Sequence, residues 1–186
     1  AFDETKSAWE TEYLELKTVL TPEEYAAARA STLNAHYTQP IVIESMYQAL
    51  ENLGFTKGNI LEPSMGVGNF FGMLPEKLNQ SKLYGVELDS ISGRIAKLLY
   101  PDANIQIKGF EKTDYPNDFF DVAIGNVPFG AYKVNDRQYD RYNFMIHDYF
   151  LAKALDQARP GGMVAVITTK GTLDKSNPTI RKYLAE

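Results

Sequence analysis

The sequence predicts an α/β protein built on a doubly wound, mostly parallel sheet. Five short apolar segments alternate with helical segments along its 186 residues, which is the pattern of parallel strands joined by helical crossovers. A content of 44% hydrophobic and 23% charged residues is ordinary for a globular domain and excludes disordered, collagen-like and coiled-coil classes. In sheets of this kind, ligands bind beyond the carboxyl ends of the strands, where the strand order reverses.

Each element is predicted from hydrophobic spacing and from helix start and stop signals. Two helices come first, at residues 2–20 and 22–33, and form an N-terminal helical segment (residues 1–34). The second of them begins with a capping box, Thr21-Pro22-Glu23-Glu24. A third helix covers 41–52, and Gly54 ends it. The remaining predictions are strands at 59–62, 82–88, 104–108, 120–125 and 163–169, and helices at 90–100 and 144–158, the last ended by a turn at 159–162.

Charge and composition exclude several classes of function. The chain carries 19 Lys plus Arg against 24 Asp plus Glu, a net charge of −5, so it is not a strongly basic nucleic-acid binder, although a local cleft can still bind nucleic acid. It has no cysteine, and its two histidines are not spaced as a metal pair, so we predict no metal site. No apolar run approaches the roughly 18–20 residues that span a membrane. We predict a cytoplasmic protein with no membrane partner and, because it starts without Met, a fragment.

A glycine-bearing loop, residues 62–70 (EPSMGVGNF), follows the first predicted strand. Its glycines allow the backbone to approach a ligand closely. The dinucleotide fingerprint G-x-G-x-x-G/A nevertheless fails, because Phe71 stands at the third glycine position. Glu62 would repel a pyrophosphate and would suit a cation, such as a sulfonium cofactor that carries an α-ammonium group. The alternative is a glycine turn of a flavodoxin-like domain that binds no ligand.

An acidic residue, Glu87, ends the second predicted strand, nineteen residues after Gly68. An acid at this place can accept hydrogen bonds from both hydroxyls of a ribose. The alternative is a helix N-cap, a role that Asp89 could serve equally well. The loop and the acid together indicate a nucleoside site, and the failed fingerprint with Glu62 favours S-adenosylmethionine over NAD.

The fourth predicted strand runs directly into Asn126-Val127-Pro128-Phe129. The asparagine oxygen and a neighbouring backbone carbonyl can both accept hydrogen bonds from an exocyclic amine. The proline removes a competing donor, and the phenylalanine ring offers a face on which a planar base can stack. The alternative is a strand-ending turn with a packed aromatic ring, because a pattern of four residues also recurs by chance.

Five segments in this order and spacing resemble the S-adenosylmethionine-dependent adenine-N6 DNA methyltransferases, in which the cofactor motif precedes the catalytic motif. Residues 126–129 are similar to the catalytic signature of that family, Asp/Asn/Ser-Pro-Pro-Tyr/Phe, and the loop 62–70 is similar to its glycine motif. Glu87 falls on its ribose acid, residues 37–40 (YTQP) on its upstream Tyr-Thr-x-Pro segment, and residues 142–164 on its helix, turn and fifth strand. The resemblance covers about residues 35–169 and implies a Rossmann-like catalytic core of the class I methyltransferase type over residues 35–186, without the final antiparallel strand pair.

The resemblance implies methyl transfer from S-adenosylmethionine to the exocyclic amine of adenine in DNA, after the base has left the duplex. It implies catalytic roles for Asn126, Val127, Pro128 and Phe129. The cofactor site that it implies consists of Tyr37, Thr38, Glu62, Pro63, Ser64, Gly66, Gly68, Glu87, Phe110 and Asn126. Two positions depart from the family: Val127 replaces the first proline, and Gly109 stands where an acid usually reads the adenine amino group. Phe110 packing on the adenine, with Glu111 or a backbone carbonyl as the acceptor, could replace that contact.

The expected partners are DNA and a target-recognition region or specificity subunit outside this chain, in a restriction or modification system. Lys133, Arg137 and Arg141 lie in the segment 131–143 after the catalytic motif. They are candidates for phosphate contacts, and an ordinary solvated loop is the alternative. Two other functions stay open. One is methyl transfer to protein glutamine or RNA by the same chemistry, and the other is a non-catalytic cofactor-binding module of a modification complex.

Overall fold

A parallel sheet of five strands forms the centre of the protein. The computed structural model describes residues 7–34 and 37–185. The strands are β1 Asn59–Glu62, β2 Lys82–Glu87, β3 Asn104–Ile107, β4 Phe120–Asn126 and β5 Ala158–Ile167. They lie in the order β3-β2-β1-β4-β5, and every neighbouring pair is parallel. The predicted doubly wound sheet is thereby confirmed.

Seven helices accompany the sheet in the described ranges. They are α1 Glu10–Val19, α2 Pro22–Asn34, α3 Pro40–Asn52, α4 Asn69–Gly72, α5 Ser90–Leu99, α6 Ile146–Gln157 and α7 Thr179–Tyr183. The bounds of α2, α3, α5 and α6 agree with the predicted ones within two residues. The first helix begins later than predicted, after a 3-10 turn at residues 7–9, and its predicted residues 2–6 lie outside the described residues.

Side chains alternate between the two faces of the sheet, as successive residues of a strand must. Ile60 and Val122 pack with α3 on one face, whereas Leu61 and Ala123 pack with α6 on the other. All four side chains are fully buried. On the α3 face, Leu83 joins this core to a smaller cluster that contains residues of α5. The sheet is therefore covered on both faces, which is why its strands read as nearly continuous apolar segments.

The start of β5 differs from the prediction. We predict a turn at residues 159–162 and a strand from Met163, but β5 already begins at Ala158. Phe120 pairs with Ala158 and Val122 with Met163, so residues 159–162 form an irregularity inside the strand. Gly161 has φ +77°, and a Cβ at residue 162 would overlap the Arg159 carbonyl oxygen and press against two carbonyl oxygens of β4. Glycines at these two positions therefore allow the irregularity.

The N-terminal helices pack against the rest of the protein through α2 and α5. The predicted capping box at the start of α2 is present. The Thr21 backbone N–H donates to Glu24 over 3.0 Å, and the Glu24 backbone N–H donates to Thr21 Oγ1 over 3.2 Å. Glu24 also pairs with Arg94 of α5. The division into residues 1–34 and 35–186 stays a prediction. None of the helices in the described ranges is long and apolar enough to cross a membrane.

Candidate functional site

The strand order reverses between β1 and β4. From β1 the chain moves outward through β2 to β3, and β4 then returns to the other side of β1. Glu62 ends β1 and Asn126 ends β4, so both lie at the carboxyl edge where ligands of such sheets bind. A Cβ at Gly125 would meet Cγ of Glu62 at 3.4 Å. The fold therefore brings together the two sequence segments that we predicted to be functional.

The loop after β1 makes a tight turn that two glycines permit. Gly66 and Gly68 have φ of +56° and +87°, which L-residues with a side chain rarely adopt. The Gly68 N–H donates to the Met65 carbonyl over 2.8 Å, which closes the turn. A Cβ at Gly68 would overlap the Tyr100 ring, whereas a Cβ at Gly66 would meet no heavy atom within 4 Å. The loop therefore presents its backbone to open space at Gly66, where a ligand can approach.

The carboxyl group of Glu62 is buried at this edge. The side chain is 2% exposed, and no described residue donates a hydrogen bond to its Oε2. Burial and the neighbouring charge of Glu87 raise the pKa of Glu62 well above its usual range. Since an ionised carboxylate without a partner is costly in such surroundings, the position requires either a proton or a cationic ligand. An α-ammonium group fits that requirement.

The carboxylate of Glu87 lies beside the same loop. It accepts hydrogen bonds from the backbone N–H groups of Gly66 and Asp89, each over 2.7 Å and each on a different oxygen. Burial raises the pKa of Glu87, and these two hydrogen bonds oppose the rise. The helix-cap role belongs to Asp89, whose side chain accepts from the Ser92 N–H over 2.6 Å. Each Glu87 oxygen keeps a further lone pair, so the carboxylate can still accept hydrogen bonds from the hydroxyls of a ribose.

The segment after β4 makes a hydrogen bond to β5 that the proline of the family signature could not make. Asn126 pairs with Ile167, its Oδ1 is buried, and the Val127 N–H donates to the Ile167 carbonyl over 3.2 Å. A proline at position 127 could not make this bond. Val127 is buried and Pro128 half-buried, while Phe129 is 39% exposed. Part of Phe129 therefore faces solvent at this edge of the sheet.

The turn after β3 places Phe110 in the core. Its ring is buried against Tyr149 and Phe150, with centroid distances of 6.2 and 5.0 Å. The ring thus belongs to the cluster between the sheet and α6. The predicted contact of Phe110 with the cofactor's adenine stays a prediction. The Glu111 carboxylate occupies the space that a side chain at Gly109 would take, so Glu111 brings an acid to that place.

The Tyr37-Thr38 segment leads directly into α3. Tyr37 is 71% exposed and Thr38 half-buried. Within α3, the Tyr47 hydroxyl donates to the Phe70 carbonyl over 2.9 Å, which ties this helix to α4 at the end of the glycine loop. The predicted position of Tyr37 and Thr38 over the cofactor stays a prediction.

The segment 131–143, called here the 131–143 loop, is fastened to α6. Asp136 accepts hydrogen bonds from Tyr149 over 2.8 Å and from Lys153 over 3.1 Å. The Tyr139 hydroxyl donates to Asp156 over 2.7 Å. The loop is thus anchored by side chains, unlike an ordinary solvated loop, and these anchors were not predicted. The one available signal was Lys153 within an apolar helical pattern. Phosphate contacts by the loop stay a prediction.

Residues 20–186 match the sequence profile of N-6 DNA Methylase. The chain belongs to this family. The match contains the whole sheet, the glycine loop and the Asn126 motif, and it confirms the family that the sequence motifs predicted. N-6 DNA methylases use S-adenosylmethionine, which confirms the predicted cofactor. The unpaired carboxyl of Glu62 and the remaining acceptor capacity of Glu87 suit that molecule.

Similarity to individual proteins agrees with the family. Defense against restriction protein B of Escherichia phage P1 is 35% identical over 156 residues, which cover 78% of this chain and 6% of the phage protein. The chain thus spans a small part of that protein's length. A modification subunit assigned to a type I restriction enzyme of Vibrio vulnificus YJ016 has a TM-score of 0.65 at 18% identity, over 90% of this chain and 44% of the other. A TehB-like S-adenosylmethionine-dependent methyltransferase of Corynebacterium glutamicum has a TM-score of 0.52 at 15% identity, over 88% and 81%. These structures confirm the class I methyltransferase fold.

Proposed function

We propose that this N-6 DNA methylase domain transfers a methyl group from S-adenosylmethionine to the exocyclic amine of adenine in DNA. The observation that carries the proposal is the position of Glu62 and Asn126 at the carboxyl ends of neighbouring strands, at the switch point of the sheet. One is a buried carboxyl that can bind a cation, and the other is an amide whose oxygen can accept from an amine. A cofactor with an ammonium group and a target with an amino group fit these two positions.

The cofactor would be held by groups whose chemistry matches it. Glu62 would bind the α-ammonium group, Glu87 would accept from the ribose hydroxyls, and the backbone at Gly66 would allow close approach. Glu111 is the candidate acceptor for the adenine amino group, because its carboxylate lies over Gly109. When bound, S-adenosylmethionine supplies an electrophilic methyl group on a sulfonium centre.

The residues after β4 would prepare the target amine. An aromatic amine is a poor nucleophile because its lone pair is delocalised into the ring. Its two N–H groups would donate hydrogen bonds to Asn126 Oδ1 and to the Val127 carbonyl. These bonds would favour a more tetrahedral nitrogen with an available lone pair. Pro128 keeps a competing N–H out of the site. Most of the rate gain would come from holding the amine in position, because orientation removes a large entropic part of the barrier.

DNA as the substrate class is supported by the family and by its relatives. The descriptions of the phage P1 protein and the Vibrio subunit both concern restriction, whose chemistry takes place on DNA. The target base must leave the duplex to reach such a site, and Phe129, which is partly exposed, is the candidate to stack on it. We further propose that a target-recognition region or specificity subunit supplies the sequence preference, and that the protein acts in the cytoplasm.

One labelling experiment separates this proposal from its alternatives. The protein is incubated with methyl-labelled S-adenosylmethionine and DNA, RNA or a glutamine-containing protein, and mass spectrometry locates the methyl group. We expect N6-methyladenine in DNA, and label that appears at least about a hundredfold more slowly with Asn126→Ala. Label on RNA or on protein glutamine would replace the proposed substrate. Cofactor binding without transfer to any of the three would identify a non-catalytic binding module.

A further inference from the structure

A buried lysine, Lys153, joins two loops at the carboxyl edge of the sheet. It lies on α6 and is 6% exposed, and lysines are rarely buried to this extent unless they are paired. Its Nζ donates to the Phe110 carbonyl over 2.8 Å and to Asp136 over 3.1 Å. The ammonium group also lies 5.0 Å from the centre of the Phe110 ring and 5.8 Å from that of Tyr149. All of these contacts are made inside the protein.

The two partners of Lys153 come from different parts of the candidate site. Phe110 follows β3, in the turn where we predict the cofactor's adenine to bind. Asp136 belongs to the 131–143 loop, which follows the catalytic motif. α6 packs on β4 and β5, so it is a fixed support. A single ammonium group on this support thus bridges the two loops by direct hydrogen bonds.

The charges around Asp136 make this connection a firm one. Burial alone would raise the pKa of Asp136, but hydrogen bonds from Tyr149 and Lys153 outweigh it and lower the pKa below its usual value. Asp136 is therefore ionised at neutral pH and attracts the ammonium group. The Phe110 carbonyl also accepts from the Thr113 hydroxyl over 2.8 Å and from the Thr113 N–H over 3.2 Å. Loss of Lys153 would leave that carbonyl paired, while the direct hydrogen-bonded bridge between the loops would be lost.

We propose that Lys153 is a positioning residue that couples the cofactor's adenine site to the 131–143 loop. Ordering of the turn at Phe110 by the cofactor then restrains Asp136 and its loop. By reciprocity, a substrate that orders the loop strengthens cofactor binding. The inference rests on the proposed function, because it takes the Phe110 backbone to line the cofactor site.

The structure offers a matched control for this proposal. Tyr139 fastens the same loop to the same helix through Asp156, but among the described residues it makes no hydrogen bond or ring contact with Phe110. Tyr139→Phe therefore removes an anchor of the loop and leaves the connection to the cofactor site. Lys153→Met removes the connection and keeps an apolar side chain of similar length in the core.

Hydrogen exchange with and without S-adenosylhomocysteine tests the coupling. In the unaltered protein and in Tyr139→Phe, we expect the ligand to slow amide exchange at least threefold in three segments: 62–68, 109–113 and 131–143. In Lys153→Met, protection should remain at 62–68 and 109–113 and disappear from 131–143. Asp136→Asn should give the same result as Lys153→Met, and it replaces Lys153→Met as the test if the lysine variant does not fold.

Three outcomes would overturn the coupling. The first is that the ligand gives no protection to residues 131–143 in the unaltered protein. The second is that this protection persists in Lys153→Met and Asp136→Asn. The third is that Tyr139→Phe loses the protection to the same extent as Lys153→Met. A failure of the proposed function has a different signature. Absence of protection at 62–68 would refute the cofactor site, and label on RNA or protein in the transfer assay would refute the DNA substrate.

Discussion

The buried carboxyl of Glu62 should make the cofactor-free protein less stable as the pH rises, and Glu62→Gln should remove this effect. Its pKa is raised in the folded protein, chiefly by burial. For such a group, the contribution to stability is fully present below the unfolded pKa and is lost as the pH rises through the folded pKa. The loss therefore begins near the ordinary carboxyl value of 4.5 and continues upward.

The size of the effect follows from the cost of keeping the side chain protonated. Each pH unit above the unfolded pKa costs about 1.4 kcal/mol while Glu62 stays protonated in the folded state. Between pH 5 and pH 7 the loss thus reaches at most about 2.7 kcal/mol. The amide of glutamine carries no such dependence. Burying that amide costs about as much as burying a protonated carboxyl, because each leaves a polar group without a full set of partners.

Urea unfolding at pH 5, 6 and 7 without cofactor measures this difference. We expect Glu62→Gln to gain stability relative to the unaltered protein as the pH rises from 5 to 7, by up to about 2.7 kcal/mol. Glu76→Gln is the matched control, because it removes an exposed carboxylate from the connection between β1 and β2. Parallel stability curves for Glu62→Gln and the unaltered protein would refute the reasoning, since Glu62 would then ionise freely in the folded state.

Cofactor binding should favour the ionised form of Glu62 over the protonated form. An ammonium group beside Glu62 stabilises the carboxylate, so binding should release a proton, which calorimetry in buffers of different ionisation enthalpy detects. Glu62→Gln should release none and should bind the cofactor more weakly. The more stable variant is thus expected to be the less functional one, a trade-off typical of binding sites.

Three further predictions concern binding and catalysis. Asn126→Ala should lower kcat by about a hundredfold or more while calorimetric affinity for the cofactor stays nearly unchanged, and full activity would remove Asn126 from the catalytic role. Glu87→Ala should weaken cofactor binding by about 1.5–3 kcal/mol, and unchanged affinity in the same calorimetric assay would contradict the ribose contact. At physiological salt this chain, with its net charge of −5, should bind duplex DNA no more tightly than roughly 10⁻⁴ M. Fluorescence anisotropy tests this, and tight binding to one duplex would show that recognition already resides in the chain.

Features with a local signal could be predicted from the sequence. The capping box at Thr21, the strand that ends at Glu62 and the motif at Asn126 depend on neighbouring residues, and their short-range patterns are specific. The choice between Glu87 and Asp89 as helix cap could not be made from the sequence, because either carboxylate is near enough. Only the folded geometry shows that Asp89 accepts from the helix and that Glu87 faces the glycine loop.

Features that depend on distant packing escaped the sequence analysis. The direction of the Phe110 ring is decided by α6, which begins 36 residues later. Lys153 looks like a solvated residue of that helix until the Phe110 carbonyl and Asp136 are placed beside it. The irregularity in β5 arises because Phe120 and Val122 pair with residues five apart, a relation that no local pattern contains.

The hydrogen bond from Val127 to Ile167 has a consequence for protein engineering. Replacing an unusual residue by the one most common in its family is a standard route to greater stability. At position 127 that route leads to Val127→Pro, which deletes the donor to the Ile167 carbonyl at a cost of about 0.5–1.5 kcal/mol. The last backbone connection between the Asn126 motif and β5 would be lost with it. A library guided by family consensus should therefore hold valine constant at this position.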